Sequence, residues 1–224
     1  TEVSAAITSQ SVAPLGDCLT QLDYNFQPTY CYKEFPTFEN GGAVTETVQV
    51  DPASISEENP IFVSGVLVTD TAAAEEAGIT IPEETFQMTV KFQIAQDLYW
   101  EDGQQVTAAD AVESFRVLKE PELQLPSTIF RDSLKSVEAE GDFTVVETFQ
   151  PGYIDSTYFT NFVGFVPQHV YGGKTIAEIR DQESVRPFSF GPYMVQEYVP
   201  GDSLTLVNNP YFATPPQVGT VVFT

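Results

Sequence analysis

The chain is short of positive charge. Across 224 residues it carries 9 Lys and Arg against 32 Asp and Glu, a formal net charge of -23. Nucleic acid is a poor partner for such a chain, because phosphate recognition needs clustered Lys and Arg, and an anionic membrane surface would repel it. The balance reads as a soluble, self-repelling surface suited to life outside the cell. Attraction of cations is the sharper alternative, but no DxDxDG-type loop is present to hold calcium. Histidine and tryptophan each occur once, at His169 and Trp100. One histidine with two cysteines makes a poor zinc set, and catalysis by His169 would need a nucleophile and an orienting acid. No G-x-S-x-G elbow is present to supply them. Gly172-Gly173-Lys174-Thr175 looks like the tail of a P-loop, yet no glycine precedes it at the required spacing. Glu57-Glu58 and Glu75-Glu76 fall in polar stretches that read as solvated, whereas glycosidase chemistry needs two carboxyls converging in a pocket. The expectation is a protein with no catalytic residues, no metal and no cofactor, and not an enzyme. A run of ~20 apolar residues able to span a bilayer is also missing, as is a signal peptide. The chain begins at Thr1 rather than Met, which reads as a processed or truncated end.

Cysteine is scarce too. Cys18 and Cys31 are the only two. They allow one disulfide closing a short loop, which would constrain the unfolded chain by roughly 3 kcal/mol; two separate buried thiols are the alternative.

What the chain has in quantity is apolar and aromatic surface: 42% of residues are hydrophobic, with 17 Phe and 10 Tyr. That is enough for a real core. Residues 1–42 are aromatic-rich and broken by Pro14, Gly16, Pro28, Pro36 and Asn40-Gly41-Gly42. Ala43 to Val50 reads as a strand, Asp51 to Pro60 as a polar loop, and 71–84 as Ala- and Glu-rich with Gly78 stopping any helix. Phe86, Met88, Val90, Phe92 and Ile94 alternate with Gln87, Thr89, Lys91 and Gln93, which marks a half-buried strand. Thr107 with Asp110 resembles a capping box. Behind it Ala111, Val112, Phe115 and Leu118 fall at helical spacing until Pro121. Ser133–Ala139 and Phe143–Phe149 read as a hairpin around Glu140-Gly141-Asp142. Tyr158 to Val163 reads as an apolar, helical stretch and Thr175 to Arg180 as a short helix. Tyr193–Val199, Ser203–Val207 and Thr220–Phe223 read as strands. The class is α+β: a mixed sheet with packed helices plus a strand-rich subdomain.

Four motifs carry a resemblance. Trp100-Glu101-Asp102-Gly103 is followed by Val106-Thr107-Ala108-Ala109-Asp110-Ala111-Val112. Val166-Pro167-Gln168-His169-Val170-Tyr171 comes next, then Phe190-Gly191-Pro192-Tyr193-Met194-Val195. The last runs from Tyr198-Val199-Pro200-Gly201-Asp202 through Ser203-Leu204-Thr205-Leu206 to Asn208-Asn209-Pro210-Tyr211-Phe212. In this order they resemble the family 5 extracellular solute-binding proteins, which serve ABC importers of dipeptides, oligopeptides and nickel. The likeness covers about Thr85 to Thr224; the first 80 residues match poorly. Phe188-Ser189-Phe190 departs from the pattern by placing bulk where the family has a small residue.

The resemblance implies the first lobe of a type II periplasmic-binding-protein-like fold. Residues 1–42 would form its N-terminal segment, 43–165 a strand-rich subdomain with the signature helix, and 166–224 the remainder leading to the hinge, with the second lobe absent from this chain. It implies capture of a peptide or small solute for an ABC permease, outside the cell, in the periplasm or at the cell surface, with membrane contact only through a lipid anchor or the permease. The expected ligand-lining residues are Thr8, Ser9 and Gln10, Ser127, Thr128 and Phe130, and the aromatics Tyr24, Phe26 and Tyr158; for each aromatic a place in the core is the competing reading. A cell-surface structural or assembly protein built from such a lobe is the rival function.

Overall fold

The computed structural model describes residues 31–224. Their elements, in order, are β1 (Ala43–Gln49), a 3-10 turn (Pro52–Ser54), β2 (Ile61–Val63), β3 (Val66–Val68), α1 (Thr71–Glu76), β4 (Glu84–Gln93), α2 (Ala108–Lys119) and α3 (Ile129–Ser133). Then come β5 (Leu134–Ala139), β6 (Thr144–Phe149), α4 (Gln168–Tyr171), α5 (Ile176–Glu183), β7 (Tyr193–Val199), β8 (Ser203–Asn208) and β9 (Thr220–Phe223). The class is α+β. Every strand pairing among the described residues is antiparallel, so the sheets here are antiparallel rather than mixed.

The main sheet runs β1-β4-β6-β5. The alternation along β4 does what period two predicts: Met88, Val90 and Phe92 are fully buried and the residues between them are not. Val90 stands between Ala43 on β1 and Glu147 on β6, and Phe92 opposite Val145. Leu134, Val137 and Phe149 extend the same core, and Trp100, Ala108 and Ala111 close it from the α2 side. Each large apolar side chain buried there contributes about 1.5–3 kcal/mol. Phe86, at the far end of the β4 pattern, lies beyond this cover and is 56% exposed.

Two smaller cores flank the main one. β7, β8 and β9 close around Val195 and Leu206. The β2–β3 hairpin packs with Ala74 of α1. Helix α1 starts at Asp70, whose carboxylate accepts from the N–H groups of Ala72 and Ala73, and ends before Gly78.

Where the structure departs from the sequence reading, local polar chemistry decides. Residues 156–160 are turns, not helix. The Asp155 carboxylate accepts from the Thr157 N–H, the Thr157 hydroxyl and Asn161 Nδ2, and so offers the backbone an alternative to helix. Ser133 ends α3 instead of opening β5, its hydroxyl donating back to the Phe130 carbonyl. The helix expected over Thr175 to Arg180 is α5, which starts one residue later with Thr175 as its cap and runs on to Glu183.

Candidate functional site

The four motifs meet in one buried joint. Trp100, 1% exposed, sends its indole N–H to Asp110 Oδ2 (3.3 Å). The same oxygen accepts from the Thr107 N–H (2.8 Å), which is the carboxylate half of the capping box. Asp110 Oδ1 accepts from the Gln168 N–H (2.8 Å), and the Asp110 carbonyl from the Val166 N–H (3.1 Å). Asp110 therefore fastens the signature helix both to the turn before it and to the Val166–Tyr171 motif. His169 Nε2 lies 3.0 Å from Asp102 Oδ2, and the His169 and Phe188 rings flank Trp100.

The later motifs join the same assembly. Glu101 donates its N–H to the Ser189 carbonyl and takes the Ser189 N–H on its carboxylate (3.1 Å), while Arg186 pairs with its other oxygen (2.9 Å). Burial pushes the Glu101 carboxyl above its usual range, against the Ser189 bond and the Arg186 charge. Arg186 also donates to the Val195 carbonyl, which ties β7 to the Trp100 turn. Buried Asn209 donates to the carbonyls of Pro192 and Gly191 and accepts from the Tyr211 N–H. The Tyr211 ring leaves no room for a side chain at Gly103: a Cβ there would sit 2.8 Å from Tyr211 Cε1, and the backbone is left-handed (φ +86). The bulk of Phe188 and Phe190 goes onto Trp100, the second ring edge-on at 5.2 Å. Motif residues thus hold elements together here.

The expected ligand-lining residues fall elsewhere. Thr8, Ser9, Gln10, Tyr24 and Phe26 lie outside the described residues, as does Cys18; Cys31 is buried and disulfide-bonded. Ser127 and Thr128 are exposed, and Thr128 caps α3. Phe130 packs on the fringe of the main core. Tyr158 does so too, but within a partly exposed aromatic ladder: Phe38 meets Tyr158 edge-on at 5.5 Å, Tyr158 meets Phe159 at 5.5 Å, and Phe159 meets Phe35 at 5.7 Å. Burial raises the Tyr158 hydroxyl, with the Glu39 charge adding and the Phe38 backbone opposing. The ladder presents ring faces and edges with one phenol, a surface fit for apolar or π contacts.

Two ionisable groups escaped the sequence reading, one on an exposed residue with a partly desolvated head and one fully buried. Lys119, at the end of α2, donates to the carbonyls of Arg131 (2.6 Å) and Leu134 (2.7 Å) and so pins α3 just after Ser127 and Thr128; burial lowers its pKa. Glu147 lies fully buried on β6, in the alternating pattern of an inward face. The inward periodicity of Val145, Glu147 and Phe149 is the one signal that could have found it.

The comparisons bear on the same stretch. The model of the bacterial extracellular solute-binding proteins, family 5 (middle), matches residues 83–224. The oligopeptide-binding protein AppA of Bacillus subtilis (strain 168) is 28% identical over 137 residues, which cover 58% of this chain and 25% of that protein. The structure of the same AppA in complex with a nonapeptide superposes with TM-score 0.53 at 26% identity, over 60% of this chain and 27% of that one. The oligopeptide-binding protein from Thermus thermophilus, solved with a pentapeptide, superposes with TM-score 0.64 at 18% identity, over 97% of this chain and 36% of that one. The chain thus spans about a quarter to a third of the length of these relatives.

Proposed function

Because this chain belongs to the family 5 bacterial extracellular solute-binding proteins, we propose that it is lobe-I material of a protein that captures a peptide outside the cell and hands it to an ABC importer. The observation that carries the reading is the convergence of the four motifs on Asp110, Glu101 and Asn209: residues far apart in sequence form one joint over the span the family model matches. Peptide is the favoured ligand class because the relatives reported above are oligopeptide-binding proteins. The work is binding without bond making or breaking, by hinged closure of two lobes around the ligand.

On this reading Ser127, Thr128, Phe130 and Tyr158 line the first-lobe side of the cleft, together with Thr8, Ser9, Gln10, Tyr24 and Phe26. Cys18 bridges Cys31 and ties the N-terminal segment down. The partner is an ABC permease, and the protein works in the periplasm or at the cell surface, held to the membrane by that permease or a lipid anchor. Among the described residues no helix is long and apolar enough to cross a membrane.

The test is native mass spectrometry of the protein purified from its source, before and after partial unfolding and refolding. Co-purifying peptides, lost on unfolding and regained from a peptide library, are expected. A protein that binds no peptide in either state, and elutes as large polymers in size-exclusion chromatography, overturns the reading in favour of an assembly role.

A further inference from the structure

Val163 is gripped by both of its backbone groups. Its N–H donates to Glu147 Oε1 of β6 (2.8 Å), and its carbonyl accepts from Ser114 Oγ of α2 (2.8 Å). Glu147 faces inward, with Val90 of β4 and Val137 of β5 as its cross-strand neighbours, both buried. Its Oε2 is sealed from solvent and has no hydrogen-bond partner among the described residues. An ionised carboxylate with one oxygen bonded to a single amide and the other bonded to nothing is strongly disfavoured in such a place, whereas the neutral acid is tolerated.

We infer that Glu147 is held as a neutral acid and acts as a proton-dependent clamp: protonated, it fixes the 155–165 loop through Val163; ionised, it releases that loop. Burial supports this by pushing the carboxyl up to about 8, with the Asp155 charge adding and the Val163 N–H opposing. Asp155, from the loop itself, is the one charged group acting on Glu147 among the described residues. β4 and β5 present Val90 and Val137, and α2 reaches the loop with uncharged Ser114. The same loop carries Tyr158 and Phe159, so its release would disturb the aromatic ladder. The inference does not depend on which ligand, if any, the ladder meets.

The sign follows from the raised value. The folded chain keeps a proton that the unfolded chain, with its carboxyl at the ordinary 4.5, gives up. The stability this proton confers is complete below that ordinary value, declines as pH rises, and is exhausted near 8. Above that, the folded carboxyl itself ionises and the loop loosens.

Glu147→Gln tests this, because the amide is neutral at every pH and its oxygen can still accept from Val163. Thermal melts and hydrogen exchange of the Val163 amide, corrected for intrinsic rate, would be followed from pH 5 to 9. The expected result is equal protection in both proteins at pH 6. At pH 9 the wild type loses about tenfold while the variant keeps its protection, and the variant's stability falls less between pH 5 and 8. Identical pH profiles, or a variant already unprotected at pH 6, overturn the clamp. Should the variant fail to fold, titrating the Glu147 carboxyl carbon by NMR in the wild type decides: a midpoint near 8 supports the inference, and one near the ordinary 4.5 overturns it. Ser114→Ala removes the other half of the grip and should loosen Val163 equally at all pH values.

Discussion

Asp110 serves three donors with one carboxylate: the Trp100 indole, the Thr107 amide and the Gln168 amide. Each is a buried or half-buried group that water cannot easily reach once its acceptor is gone. Asp110→Ala should therefore cost about 3 kcal/mol or more, as several unsatisfied donors and a lost cap add up. Asp110→Asn should cost less, because one amide oxygen can still accept. Urea unfolding checks both. If Asp110→Ala costs no more than a surface substitution, the joint is not held by this residue. The same bonds explain why the Trp100 motif is recognisable in the sequence: its residue types are fixed by hydrogen bonds to partners of one geometry. The expected lining residues have no such constraint. Ser127 and Thr128 are exposed on a helix start, and what they touch depends on chemistry outside the chain's own packing.

Elements show how far pattern carries. β4 and α2 were legible because each shows its period over two turns or more of repeat, and the β5–β6 hairpin because Glu140-Gly141-Asp142 announces its turn. β2 and β3 were not, since three residues each are too few to display a period. Tyr158 to Val163 reads as helix because its apolar content hides the Asp155 carboxylate that competes with it. The β2–β3 hairpin also docks by backbone rather than by pattern. The Phe62 N–H donates to the Pro151 carbonyl and the Gly152 N–H to the Phe86 carbonyl, both at 2.7 Å. Gly152 is left-handed (φ +83), and a Cβ there would overlap the Phe62 carbonyl oxygen. Gly152→Ala should cost about 3 kcal/mol from conformation and overlap together, with amide protection lost first in 61–68. Gly141→Ala carries only the conformational cost, because nothing lies within reach of its Cβ. Equal losses in the two variants would mean that the close approach at Phe62 does not matter.

At the scale of the whole molecule the dominant fact is charge. Of the few cations, Lys91, Arg116, Arg131 and Arg186 already sit in ion pairs, so the excess of carboxylates must be borne by solvent and by distance. The exposed one among these pairs, Lys91–Glu140, contributes little, while the net charge of -23 repels itself across the folded surface more than in the expanded chain. Salt shortens the reach of that repulsion from about 30 Å at 0.01 M to about 8 Å at 0.15 M. The screening acts on every long-range like-charge pair at once, whereas the ion pairs it weakens are few and local. The melting temperature should accordingly rise with sodium chloride, by about 3–6 °C between 0.01 and 0.3 M if screening supplies about 1–2 kcal/mol. Most of the rise should come below 0.15 M, where the Debye length changes across the protein's own dimensions. A melting temperature that stays flat or falls would mean that the paired cations outweigh the diffuse repulsion, and that local pairing rather than net charge sets the electrostatic stability of the fold.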